Sequence, residues 1–206
     1  MAMDLAVLID PAHTAVITSE VQNSVVGERS ALPALAEAAR PTVANVARLC
    51  VAARDHRAQV VHCTAARRSD GKGSNRNARL FLGVRKSPVS MLPGSAEAAV
   101  VSELGPDDGD IVLTRLHGLN PMAGTDLDPV LRNLGVTTII VTGVSVNIAI
   151  TNLVMDAVNA GYQVVVPRDA VAGIPADYAE AMIDNTLSLL ATIASTDDVI
   201  SAWKGA

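Results

Sequence analysis

Apolar positions along this chain fall into two kinds of segment that alternate with each other. Short, nearly unbroken runs of Val, Ile, Ala and Thr occur at Ala15–Ser19, Gln59–Cys63, Asp110–Thr114, Thr137–Thr142 and Gln163–Val166. Strands covered on both faces read this way, because neither face is left for solvated side chains. Between these runs the apolar residues recur with helical spacing. In 41–55, Val43, Val46, Ala47, Cys50 and Ala53 share one side, and Pro41 sits where a helix is expected to start. Over 126–134, Leu127, Val130, Leu131 and Leu134 follow i, i+3, i+4, i+7 spacing. Thr125 and Asp128 read there as a capping box and Gly135 as the stop. Two more helices are predicted, one over 147–160 closed by Gly161 and one over 175–193 with Ala179, Ile183 and Leu187 inward.

Strands alternating with helices predict an α/β fold: a three-layer, doubly wound parallel sheet with helices on both faces. The stretch 67–94 fits neither period. It holds Gly71, Gly73, Gly83, Pro88, Pro93 and Gly94 together with Arg67, Arg68, Lys72, Arg76 and Arg79. We read it as the main loop of a site, its basic residues either solvated or recognising a carboxylate.

The length of 206 residues suits one domain over 1–206. Aromatic residues make up only 2% of a chain that is 50% apolar, so Ala, Val, Leu and Ile must fill the core. A net charge of -5 speaks against nucleic acid as a partner. Cys50 and Cys63 are too few for a disulfide framework and lie in apolar runs, which fits reduced thiols and a cytoplasmic protein. The N-terminal residues carry no basic stretch, and their apolar run stops at Asp10 and Pro11, so neither a leader nor a membrane span is expected. Helices 147–160 and 178–193 hold more Ala, Val and Leu than one buried face requires, which predicts a homo-oligomer.

Open parallel sheets bind ligands beyond the carboxyl ends of their strands. That rule singles out Glu20 and Gln22, Cys63 and Thr64, Arg115 and His117, and Ser145 to Ala149. Glu20 is either a catalytic or ligand-contacting acid or the structural partner of Arg115. Arg115 is correspondingly an anion contact or a counter-ion. His117 belongs to a Gly- and Pro-bearing loop, where it is solvated or meets substrate. Backbone amides of Asn147, Ile148 and Ala149 open a helix and are suited to an anion or oxyanion, although Asn147 also reads as a simple cap. His62 and Cys63 lack a second pair at metal-site spacing, so neither metal nor cofactor is expected.

Three blocks carry a resemblance to a known family. They are Val16-Ile17-Thr18-Ser19-Glu20-Val21-Gln22, then Gly124-Thr125-Asp126-Leu127, then Val141-Thr142-Gly143-Val144 with Asp156-Ala157, Gly161-Tyr162 and Asp169-Ala170 following. From Thr14 to Ala170 the chain resembles the isochorismatase-like hydrolase superfamily, which includes isochorismatases, nicotinamidases and other amidohydrolases. The resemblance implies a doubly wound parallel sheet and, in the cysteine hydrolases, an Asp, Lys and Cys triad. Carried over by position, Asp becomes Glu20, Lys becomes Arg115 and Cys becomes Ala149. Glu lengthens the acid by one methylene, Arg keeps the charge but cannot give up its proton, and a methyl group cannot attack a substrate. Isochorismatases also lack the cysteine and use the acid to protonate a vinyl ether. Two functions therefore stand side by side. One is a non-covalent hydrolase of a small anionic metabolite, with Glu20 as acid or base, Arg115 holding negative charge and the Asn147–Ala149 amides at the oxyanion. The other is a family member without turnover that binds a ligand or serves a structural role.

Overall fold

The computed structural model describes residues 4–205; Met1 to Met3 and Ala206, the ends of the domain expected over 1–206, lie outside the described residues. Seven strands form one sheet: β1 (Thr14–Ser19), β2 (Gln59–Ala65), β3 (Ile111–Arg115), β4 (Thr138–Val144), β5 (Gln163–Pro167), β6 (Val171–Ala172) and β7 (Thr192–Ala194). Their order is β3-β2-β1-β4-β5-β7, with β6 paired to β4, and every pairing is parallel. The order reverses between β1 and β4, which places the switch point of a doubly wound sheet at the carboxyl ends of these two strands.

Helices cover both faces, as the unbroken apolar runs require. These are α1 (Leu5–Leu8), α2 (Pro33–Asp55), α3 (Arg79–Arg85), α4 (Leu127–Asn133), α5 (Thr151–Asn159), α6 (Ala176–Asn185) and α7 (Thr196–Lys204). Successive strand residues alternate between two cores. Val16, Ile140 and Val165 pack with Leu49 of α2 and Trp203 of α7. Ile17, Val141 and Val166 pack with Leu131 of α4, Leu153 of α5 and Ile183 of α6. Every residue of β1 and of β4 is buried. Gly143 makes their closest approach possible, since a Cβ added there would stand 2.3 Å from the Ser19 carbonyl oxygen.

Several expected boundaries shift. Pro41 does not begin a helix but lies inside α2, which starts at Pro33. Pro41 and Glu37 are both exposed, so the carbonyl deprived of its donor belongs to a residue on the solvent side. The Thr125–Asp128 capping box does not form. The Thr125 hydroxyl instead accepts the Leu127 amide at 3.1 Å, while the Asp128 carboxylate receives the Tyr162 hydroxyl at 2.8 Å. The helix expected over 175–193 ends at Asn185, and its last residues become a 3-10 turn and the edge strand β7. Beyond it, α7 is closed at its start by a true capping box of Ser195 and Asp198, and Trp203 donates its indole N–H to the Ile9 carbonyl at 2.7 Å.

A polar network lies beneath α2. Arg54 donates to both carboxylate oxygens of Asp110 at 3.1 and 2.7 Å, and His62 donates its Nε2 proton to the same carboxylate at 3.1 Å. With burial favouring the neutral imidazole, the other ring nitrogen accepts from the Thr18 hydroxyl at 2.9 Å. Burial holds His62 below its ordinary value despite Asp110. At Asp110, burial raises the carboxyl, but Arg54, the Asp107 amide and His62 outweigh it and keep the group below its usual range.

Candidate active site

Glu20 follows β1 directly and holds a left-handed backbone, φ 55. Its amide donates to the Cys63 carbonyl at 2.9 Å, and its own carbonyl accepts the Gln22 amide at 2.9 Å. The strand end thus turns sharply and presents Glu20 above β2. A non-glycine residue in this region costs of order 1 kcal/mol, a conformation held by its surroundings. Arg115 ends β3 and lies in register with Ala65 of β2. Its Nη2 donates to Glu20 Oε1. The Arg115 side chain is 5% exposed and that of Glu20 22%, so the pair is largely withdrawn from water. Arg115 Nε and Nη1 are buried and have no partner among the described residues. Unpaired guanidinium nitrogens are costly to bury, and a bound anion would relieve that cost.

The peptide between Val144 and Ser145 is cis. After it the chain makes one π-helical turn, Val146–Ile150, before α5. The Ser145 carbonyl receives the amides of Ile148 at 3.2 Å and Ile150 at 3.1 Å. Of the three amides singled out in the sequence, that of Ile148 is therefore engaged within the turn.

These strand ends surround a cavity of about 530 Å³. Glu20, Arg115, His117, Ile148 and Ala149 line it together, joined by Ser145. A smaller recess of about 200 Å³ shares Arg115 and His117 with it. Gln22 and Asn147 lie outside its walls. Gln22 is fully buried, with Nε2 donating to the carbonyls of Ala65 at 2.9 Å and Ala98 at 2.7 Å and Oε1 accepting the Ala65 amide at 2.8 Å. Every polar atom of its amide group is thereby occupied in tying the loop after β1 to β2 and to the segment at Ala98. Asn147 keeps a buried Oδ1 without a partner among the described residues, close to Gly173.

The stretch 67–94 supplies the opposite wall, but not as an irregular loop throughout, for it contains α3. Arg67 is spent on structure: its guanidinium donates to the carbonyls of Val84 at 2.6 Å and Val89 at 3.0 Å. Arg68 pairs with Asp70, whereas Arg79 lines the cavity. Sequence reasoning missed Phe81 and the hydroxyls of Ser24 and Ser74, all in the lining. Both hydroxyls are buried without partners among the described residues. The apolar run Leu80-Phe81-Leu82 amid basic residues was the available signal for Phe81; nothing marked the serines.

Neither thiol suits nucleophilic chemistry. Burial pushes Cys63 up to about 12 although Arg115 pulls the other way, and burial likewise takes Cys50 to about 12. The loop bearing His117 is fastened through buried Asn120. Its Nδ2 donates to Asn152, and to Asp156 at 3.0 Å, while its Oδ1 accepts the Met122 amide at 2.7 Å.

Comparisons agree with this architecture. The isochorismatase domain matches residues 14–198. Ureidoacrylate amidohydrolase RutB of Agrobacterium fabrum is 26% identical over 209 residues, covering 93% of this chain and 90% of that protein. Maleamate amidohydrolase of Pseudomonas putida is 28% identical over 123 residues, covering 59% of this chain and 57% of its own length. Among solved structures, a cysteine hydrolase from Pseudomonas syringae pv. phaseolicola superposes with a TM-score of 0.83 at 26% identity, over 96% of this chain and 95% of that one.

Proposed function

The chain belongs to the isochorismatase family of hydrolases, and from that premise we propose that it hydrolyses a small anionic metabolite without a covalent intermediate. The observation that carries this reading is the Glu20–Arg115 pair standing on the wall of a roomy cavity beside Ala149. A pair locked into solid protein would have favoured a purely structural role; this one faces space for a substrate. Ala149, in the place where the resemblance puts a nucleophile, offers only a methyl group, so water attacks instead.

In this mechanism Glu20 takes a proton from water as its oxygen bonds to the carbonyl carbon of the substrate. The C–N bond then breaks, and the proton passes from Glu20 to the departing nitrogen. Arg115 keeps Glu20 in place, and its positive charge on the cavity wall attracts the substrate's negative group. The backbone amide of Ala149 faces the developing oxyanion. The substrates for which the relatives are named, ureidoacrylate and maleamate, each combine a carboxylate with a hydrolysable C–N bond, which suits this arrangement.

A ligand-binding protein without turnover is the second reading, favoured by Ala149. Incubation of the purified protein with ureidoacrylate, maleamate and related acid amides, with products followed by NMR, separates the two. Turnover that disappears in Glu20→Gln supports the hydrolase. Saturable binding with no product from any of them supports the binder.

Among the described residues no helix is long and apolar enough to cross a membrane, and the buried thiols support a cytoplasmic location. Exposed Met155 and Val158 on α5, Tyr178 on α6 and nearby Leu189 support self-association into a homo-oligomer.

A further inference from the structure

The cavity is large and apolar for a substrate of ureidoacrylate size, and the source of its apolar wall is unusual. This chain has a single Phe, and Phe81 is placed on the cavity instead of in either core. Around it α3 buries none of its residues, and Leu80 and Val84, both in the lining, remain 45% and 37% exposed. From a separate segment, at the start of α2, Leu32 enters the same lining and is 50% exposed. Apolar surface kept open to water at one place is surface that a ligand can cover with gain. The charges around it have one dominant sign. Arg79, Arg85 and Lys86 line the cavity, and among the described residues none of them pairs with a carboxylate. Glu20, the acid in the lining, is already bonded to Arg115.

We propose that the substrate is an amphipathic carboxylate, with its acid and scissile group at Glu20 and Arg115 and an apolar body of several carbons lying against Phe81, Leu80 and Leu32. This deepens the hydrolase reading and rests on it for the position of the scissile bond. The basic residues around α3 raise the local concentration of anions and so favour the charged form over a neutral hydrocarbon of equal length.

The test is a binding series of straight-chain carboxylates, propanoate to octanoate, by isothermal titration calorimetry on the full chain. Affinity should rise about two- to fourfold per added methylene, the upper figure corresponding to complete burial of each CH2. Octanamide should bind at least about fivefold more weakly than octanoate. Phe81→Ala and Leu32→Ala, on separate segments and both at incompletely buried positions, should each weaken octanoate about tenfold and leave propanoate within about twofold, with unfolding midpoints close to the parent's. Affinity independent of chain length overturns the proposal, as does octanoate binding untouched in both variants. Octanamide binding as tightly as octanoate removes the carboxylate from it. The outcomes are separable from the hydrolase reading: a clear chain-length series in a protein without any Glu20-dependent turnover refutes catalysis and leaves this ligand class standing.

Discussion

Glu20 and Arg115 form their ion pair across an intervening strand: β1 and β3 are not neighbours, and β2 runs between them. Both side chains must therefore reach over the carboxyl end of β2, where Glu20 also receives its backbone anchor from Cys63. The longer Glu and the broad guanidinium together span this gap, and the pair closes one side of the cavity. Replacing either partner alters the same wall.

Glu20→Gln should lower turnover by at least about 100-fold, the ordinary scale for loss of a proton-transfer group, while circular dichroism shows a folded chain. Arg115→Lys retains the charge but not the forked donors and should reduce kcat/KM by about tenfold or more. Undiminished activity in both variants would remove the pair from the mechanism.

Native protein treated with iodoacetamide should remain unmodified at Cys50 and Cys63, since burial holds both thiols near 12. Ala149→Cys should gain a single carbamidomethyl group, because position 149 lines the cavity. Intact-mass spectrometry reads both results. Rapid labelling of Cys63 in the parent, with loss of turnover, would move the chemistry to that thiol.

Stability should fall on mild acidification. The unfolded chain protonates His62 near 6.5, whereas the folded chain holds that imidazole neutral to lower pH, so the unfolded state binds more protons as pH drops below about 6.5. The unfolding free energy should decline by up to about 1.4 kcal/mol per pH unit in this window. Asp110, also held below its ordinary value, extends the loss into stronger acid, as pH falls through its folded-state value. Urea titrations at pH 7.5 and 5.0 measure the slope. His62→Gln should flatten it between 6.5 and 5, and an unchanged slope would assign it elsewhere.

Gln22→Ala should act on the fold rather than on substrate affinity. It removes three hydrogen bonds and strands partly buried main-chain groups of Ala65 and the buried carbonyl of Ala98, a cost of roughly 3 kcal/mol. Denaturant unfolding gives the stability. A variant as stable as the parent but with greatly raised KM would instead make Gln22 a substrate ligand.

Multi-angle light scattering at micromolar concentration should give a mass of at least two chains. Met155→Lys with Tyr178→Lys should shift it to one chain while leaving the circular dichroism spectrum unchanged. A monomer in the parent protein would oppose the assembly.

The sheet was readable because its central strands are apolar on both sides, and the strand ends then located Glu20, Arg115 and Ala149. Less readable were features decided by tertiary partners. Thr125 and Asp128 have the right spacing for mutual capping, but Tyr162 takes the carboxylate. Gln22 stands two residues from Glu20, yet the antiparallel bridge between Gln22 and Val100 turns it inward. Strand β7 has three residues and follows a helical apolar period, so nothing local separates it from that helix. The lining role of Phe81 depends on where α3 comes to rest, which spacing cannot tell.

Asn120 ties two walls of the cavity to each other. It joins the His117 loop to Asn152 and Asp156 of α5, and α5 continues directly from the turn that holds Ala149. The α3 wall is built differently: it contributes nothing to either core, and its Val84 carbonyl accepts from the Arg67 guanidinium. One side of the cavity is therefore cross-linked through a buried asparagine, while the facing side stands outside both cores.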